Sequence, residues 1–121
     1  MNTSVKTVDV YLINPIEKTI TMVALPKKNK LDEIYKVLDC QLIDFVNVGE
    51  NDLVIDDEGL YVENQTYFTW IDLIKDEEEN YQVLMKQIAG KTLFVGIDQE
   101  GSITTPTIPI EELKYFHVRF I

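Results

Sequence analysis

Residues 71–90 read Ile71-Asp72-Leu73-Ile74-Lys75-Asp76-Glu77-Glu78-Glu79-Asn80-Tyr81-Gln82-Val83-Leu84-Met85-Lys86-Gln87-Ile88-Ala89-Gly90. Tyr81, Leu84, Met85 and Ile88 recur at i, i+3, i+4 and i+7, the spacing of one face of a helix. The acidic run in front of them complements the dipole at a helix N-terminus, and Gly90 supplies a stop. The stretch therefore predicts an acidic helix over residues 76–88. That helix decides the fold class, because most of what surrounds it reads as strand.

Upstream, residues 8–13 and 19–25 are apolar or alternating runs around the polar link Asn14-Pro15-Ile16-Glu17-Lys18, a β-hairpin pattern. Pro26 ends the second run. Asn29 is placed to cap a short amphipathic helix over residues 31–39, in which Leu31, Ile34, Tyr35 and Leu38 share a face. Residues 42–48, 53–56, 60–62 and 67–70 read as strands of an antiparallel meander. Downstream, residues 92–97 form a strand, Asp98-Gln99-Glu100-Gly101 a turn, residues 109–113 a single helical turn and residues 116–121 a last strand. The expectation is α+β: an antiparallel sheet of about five to seven strands with two main helices packed on it, in a single domain over residues 1–121.

The chain has 121 residues and a net charge of −10. The charge is concentrated: residues 51–100 hold three lysines against twelve Asp and Glu, a net −9. Such a field repels phosphate backbones and attracts basic partners, so direct binding to duplex nucleic acid is not expected. Cys40 is the only cysteine, so no internal disulfide can form, and among Val37, Leu38, Leu42 and Ile43 it reads as an inert core thiol. No run approaches the length of a membrane span, and the polar start Met1 to Thr7 lacks the apolar run of a signal peptide. A cytoplasmic protein with no membrane partner is expected.

Candidate chemistry is sparse. Asp56-Asp57-Glu58-Gly59 and Asp98-Gln99-Glu100-Gly101 repeat a carboxylate-rich pattern that could ligate a hard cation. The same residues suit turns that need Gly at positive φ, and the turn is the reading adopted, with no metal and no cofactor. His117 is the only histidine, and no nucleophile–base pairing, phosphate loop or zinc spacing accompanies it, so a binder is expected rather than an enzyme. Two binding surfaces stand out. One is acidic: Asp56, Asp57 and Glu58 with Asp76, Glu77, Glu78 and Glu79. The other is aromatic: Tyr61, Tyr67 and Trp70, with Phe68 beside them, could stack on a ligand or anchor an interface. Strand alternation sends Tyr67 one way and Phe68 with Trp70 the other, so one set is expected to be buried.

Several segments together resemble small uncharacterised proteins of phages and mobile elements and, more distantly, a family of domains of unknown function from the same genomes. They are Tyr11-Leu12-Ile13-Asn14-Pro15, Ile34-Tyr35 with Leu38-Asp39-Cys40, Asp56-Asp57-Glu58-Gly59-Leu60, Phe68-Thr69-Trp70, Ala89-Gly90-Lys91, and Gly96-Ile97 running into Asp98-Gln99-Glu100-Gly101. The resemblance implies a shorter polar link before Ala89-Gly90-Lys91, so the acidic stretch 71–88 reads as an addition with its own partner. It further implies an accessory protein that antagonises a host anti-phage defence factor, binding a basic surface of that host protein stoichiometrically. A nucleotide or other small-ligand binder built from Tyr61, Tyr67, Trp70, Lys91 and Arg119 is the alternative. A homo-oligomer formed through the edge strand 116–121 is the third reading.

Overall fold

A computed structural model describes residues 6–121. Of the polar start, Met1 to Val5 lie outside the described residues. Strands β1 (Thr7–Asn14) and β2 (Thr19–Pro26) form the expected hairpin, in register from Thr7 opposite Pro26 to Asn14 opposite Thr19. The Asn14 carboxamide oxygen accepts from the N–H groups of Ile16 and Glu17 and fixes the turn. Helix α1 (Lys30–Leu38) follows, close to its predicted span. Asn29 holds the N-cap position in a left-handed conformation, but its side chain makes no cap hydrogen bond.

β3 (Ile43–Val48) and β4 (Asn51–Asp56) pair across the tight turn Gly49-Glu50. β5 (Tyr67–Lys75), β6 (Tyr81–Ala89), β7 (Thr92–Ile97), the two-residue β8 (Ile103–Thr104), the short helix α2 (Ile110–Glu112) and β9 (Val118–Phe120) complete the chain. The larger sheet has the order β2-β1-β7-β4-β3 with β8 paired to β7; the smaller has the order β6-β5-β9. All pairings are antiparallel.

The larger sheet is covered on both faces, which explains its near-continuous apolar runs. Val8, Val10, Val54, Leu93 and Val95 meet Ile34 and Leu38 of α1 on one side. Tyr11, Ile13, Leu53 and Phe94 meet Phe68, Trp70, Ile88 and Val118 of the smaller sheet on the other, with Leu113 among them. Neighbours in sequence such as Leu53 and Val54, or Leu93 and Phe94, enter opposite layers because the pleat alternates.

The fold class differs from the α+β expectation. Among the described residues strand makes up 49% and helix 17%, with nine strands in two antiparallel sheets and two short helices, so this is a mainly-β protein. The predicted acidic helix is absent: Tyr81–Ala89 is strand β6, paired with β5 along its whole length. Two periods compete in that segment. Tyr81, Leu84, Met85 and Ile88 fit the helical one, whereas Tyr81, Val83 and Met85 fit alternation. The ladder with β5 and the loop between the strands decide for alternation, as tertiary pairing routinely overrides a helical pattern. Residues 60–62, expected as strand, belong instead to a 3₁₀ turn at Gly59–Tyr61. The meander is also broken, because β4 lies between β3 and β7 while β5 crosses to the other sheet.

Candidate functional site

The β5–β6 hairpin is anchored at one end only. Phe68, Trp70 and Ile88 at its base lie in the core, with Trp70 2% exposed. Beyond Trp70 the hairpin leaves the body, and every residue from Tyr81 to Gln87 is exposed. Residues directly opposite share a face, so Ile71 and Met85, Leu73 and Val83, and Lys75 and Tyr81 form one strip. Within it Leu73, Tyr81, Val83 and Met85 are 51%, 69%, 55% and 67% exposed. Asp72 with Leu84 and Ile74 with Gln82 make the opposite strip. The Lys75 ammonium lies 5.9 Å from the centre of the Tyr81 ring and 3.7 Å from the Glu79 carboxylate.

At the tip, the Asp76 carboxylate accepts from the N–H groups of Glu78 and Asn80, both at 2.9 Å. The Asp76 N–H donates to the Asn80 carbonyl, and the Glu79 N–H to the Asp76 carbonyl. The loop between β7 and β8 repeats every one of these bonds. Asp98 accepts from Glu100 and Ser102, its own N–H donates to Ser102, and the Gly101 N–H donates to Asp98. Glu79 at φ 65° and Gly101 at φ 83° hold the same left-handed position. The structural twin of the second Asp-x-Glu-Gly copy is therefore residues 76–80. The first copy differs: Asp56 accepts from Glu58 and starts the 3₁₀ turn, where a Cβ on Gly59 would lie 3.3 Å from the Ala89 Cβ.

That packing sets Asp56, Asp57 and Glu58 beside the base of β6. Asp56 and Asp57 line a crevice of about 130 Å³ together with Ile55, Leu60, Gln87 and Ala89. The acidic residues singled out in the sequence thus fall into two groups at opposite ends of the exposed hairpin: Asp76, Glu77, Glu78 and Glu79 at the tip, Asp56, Asp57 and Glu58 at the base.

The aromatic set is divided. Trp70 is a core residue, not a surface one; it stacks between Phe94 and His117 at centroid distances of 5.5 and 5.1 Å. Its indole N–H is buried without an acceptor among the described residues. Tyr67 lies half-buried on the opposite face of β5, and Tyr61 is 86% exposed in the 3₁₀ turn. With Trp70 enclosed in the core, these residues do not form one exposed platform with Lys91 and Arg119. A cleft of about 660 Å³ is lined by Lys27, Lys30, Asp9, Asp98 and Thr104 among others, and no aromatic residue lines it. Among the described residues, no three His, Cys, Asp or Glu side chains are placed to hold a metal. Cys40 is half-buried, and its thiol is pushed up by burial and then by the negative charges of Asp56 and Asp39.

Asn51 had no signal in the sequence, and His117 only that of a lone histidine without a catalytic partner. His117 occupies the position that would pair with Ile71 if the β5–β9 register continued, and its imidazole Nδ1 lies 2.8 Å from the Ile71 carbonyl oxygen. Asn51 is 5% exposed and bonds Thr107 twice, donating to its hydroxyl at 2.8 Å and accepting its N–H at 2.9 Å. The identity of the tip loop did have a signal. Asp76-Glu77-Glu78-Glu79-Asn80 and Asp98-Gln99-Glu100-Gly101-Ser102 share the Asp and the Glu two residues on, and differ where Glu77 replaces the glutamine, Glu79 the glycine and Asn80 the serine.

The fold and its exposed arm define a mainly-β protein of two antiparallel sheets that presents an apolar hairpin flanked by carboxylates. Residues 7–117 match the domain of unknown function DUF3846, and the chain belongs to that family. No curated protein and no solved structure matches it. No helix among the described residues is long and apolar enough to cross a membrane.

Proposed function

We propose that this chain is a protein-binding module, not a catalyst, and that the β5–β6 hairpin is its contact element. The observation that carries the reading is the exposure of Leu73, Tyr81, Val83, Leu84 and Met85 on an arm that contributes little to the core beyond Trp70. Large apolar side chains clustered outside a core mark an interaction surface. Seven carboxylates at the two ends of the arm, from Asp56, Asp57, Glu58, Asp76, Glu77, Glu78 and Glu79, favour a partner with a basic surface. The resemblance to phage and mobile-element proteins supports a host defence factor as that partner, held stoichiometrically.

The test is a pull-down comparing the native chain with a shortened-hairpin variant. Replacing residues 73–83 by Asn-Gly closes the ladder after Asp72 opposite Leu84 with a favoured two-residue turn. The native chain is expected to retain a protein partner at low salt and to release much of it at high salt, while the shortened chain retains none. Equal retention by both chains overturns the proposal.

A further inference from the structure

The pairing within the hairpin shows which backbone groups are free. At one end the Gly90 N–H donates to the Thr66 carbonyl, and at the other the Asp76 N–H donates to the Asn80 carbonyl. Both are opposite pairs in the continuous β5–β6 register, so hydrogen-bonded pairs alternate between them: Phe68 with Ile88, Trp70 with Lys86, Asp72 with Leu84, Ile74 with Gln82. The intervening residues of β6, Tyr81, Val83, Met85 and Gln87, direct their N–H and C=O groups away from β5. β6 is the end strand of its sheet, so among the described residues these groups meet no partner strand. The loop at Gly59 closes the edge only near Ala89.

An open edge of this length is a template for another strand. Its ends choose the occupant. Asp76, Glu77, Glu78 and Glu79 stand at one end and Asp56, Asp57 and Glu58 at the other, with Lys86 the only basic residue on β6. A second copy pairing antiparallel through β6 would set each acidic tip against its partner's acidic base; a parallel pair would set tip against tip. Like charges in such juxtaposition oppose association. An extended segment carrying Lys or Arg near its ends meets attraction at both.

We infer that the β6 edge accepts an extended basic peptide segment of the partner as an added antiparallel strand. Its main chain pairs with Tyr81, Val83, Met85 and Gln87. Its alternate apolar side chains lie beside the Tyr81–Val83–Met85 strip, and its flanking cations lie against the two carboxylate groups. This rests on the binding reading above and adds the mode of contact.

The probe is a synthetic peptide of about eight residues alternating lysine and valine, the length and pattern of a strand-addition ligand. It is compared with a glutamate–valine counterpart and with a lysine–valine version N-methylated at alternate residues. Binding is followed by fluorescence anisotropy, and amide hydrogen exchange is read by NMR. The lysine–valine peptide is expected to bind at least tenfold more tightly than either comparison peptide. It is expected to slow exchange selectively at Val83 and Met85, whose amides face the open edge. Val83→Pro removes an outward N–H without touching the β5 ladder, and is expected to lower affinity at least tenfold. Should that variant not fold, the N-methylated peptide makes the same distinction.

Binding without protection at Val83 and Met85, unchanged by N-methylation, overturns strand addition and leaves the basic-partner reading standing. Equal or tighter binding of the glutamate–valine peptide, or no binding of the lysine–valine one, overturns the strand-addition assignment together with its charge argument. The pull-down with the shortened hairpin then decides the broader reading separately. Dimerisation in light scattering that Val83→Pro abolishes makes a second copy the occupant and also overturns the assignment.

Discussion

His117 Nδ1 lies 2.8 Å from the Ile71 carbonyl oxygen, one step past the last backbone pair of β5 with β9. The carbonyl can only accept, so the bond requires the proton on Nδ1. A side chain thus takes over where the strand ladder stops, at the point where the hairpin leaves the body. The same ring stacks on Trp70 with an interplanar angle of 14°. His117→Phe keeps the stack and removes the donor. It is expected to lower stability by about 1 kcal/mol, the usual net value of one such bond. In hydrogen exchange, amides of residues 71–75 should gain more exchange than those of β7. An unchanged midpoint in urea with unchanged exchange would show that the bond holds nothing.

Glu79 occupies the left-handed position that glycine fills in the twin loop. A non-glycine residue pays about 1 kcal/mol there. Its ion pair with Lys75, at 3.7 Å between largely exposed groups, returns little. Glu79→Gly is therefore expected to raise stability by about 0.5–1 kcal/mol, part of the relief being offset by the greater chain entropy of glycine when unfolded. Gly101→Glu is expected to lower it by about 1 kcal/mol or somewhat more. Thermal denaturation of the two single variants checks both signs.

The β1–β2 hairpin, α1 and β7 follow from local patterns that no competing period disturbs: Asn14-Pro15 for the turn, Ile34 and Leu38 for the helix face, an unbroken apolar run for the buried strand. Residues 81–88 carry two periods at once, and within the segment itself nothing breaks the tie. The ladder with β5 and the loop at residues 76–80 that closes the hairpin do so. The acidic residues were visible as charge, but their placement at the two ends of one arm depends on Gly59 packing against Ala89 and on the loop at residues 76–80. Trp70 could be assigned to the Phe68 face by alternation, yet which face is buried is set by the larger sheet beneath it.

Cys40 supplies a pH-dependent signal. Burial holds its thiol above the usual range, and the nearby Asp56 and Asp39 carboxylates act in the same direction. A raised value means the folded state keeps its proton when the unfolded chain has lost it. This contribution is intact below the unfolded thiol's range and is lost as pH rises from there through the folded value. Alkylation by iodoacetamide is expected to be slower in the folded protein than in urea at pH 8.5, with its pH profile displaced upward. Asp56→Asn should move the profile back toward lower pH; a profile matching that of a free thiol in the native chain contradicts the burial argument.

Asn51 and Thr107 tie the segment after β8 to the start of β4, far apart in sequence. The carboxamide of Asn51, itself buried, donates to the hydroxyl and accepts the N–H of the exposed Thr107. Asn51→Ala leaves both Thr107 groups without these partners, whereas Thr107→Val leaves the backbone bond in place. Each is expected to cost about 1–2 kcal/mol: the first loses two bonds whose exposed Thr107 groups water can satisfy, and the second loses one but leaves the buried Asn51 amide without its acceptor. Tyr11 gives an independent check of the same strap, because its hydroxyl donates to the neighbouring Ile108 carbonyl at 2.8 Å. If the strap acts as a unit, Asn51→Ala and Tyr11→Phe should be non-additive in urea denaturation, with a coupling of at least about 0.5 kcal/mol. Strict additivity would mean that Asn51 and Tyr11 hold the segment independently.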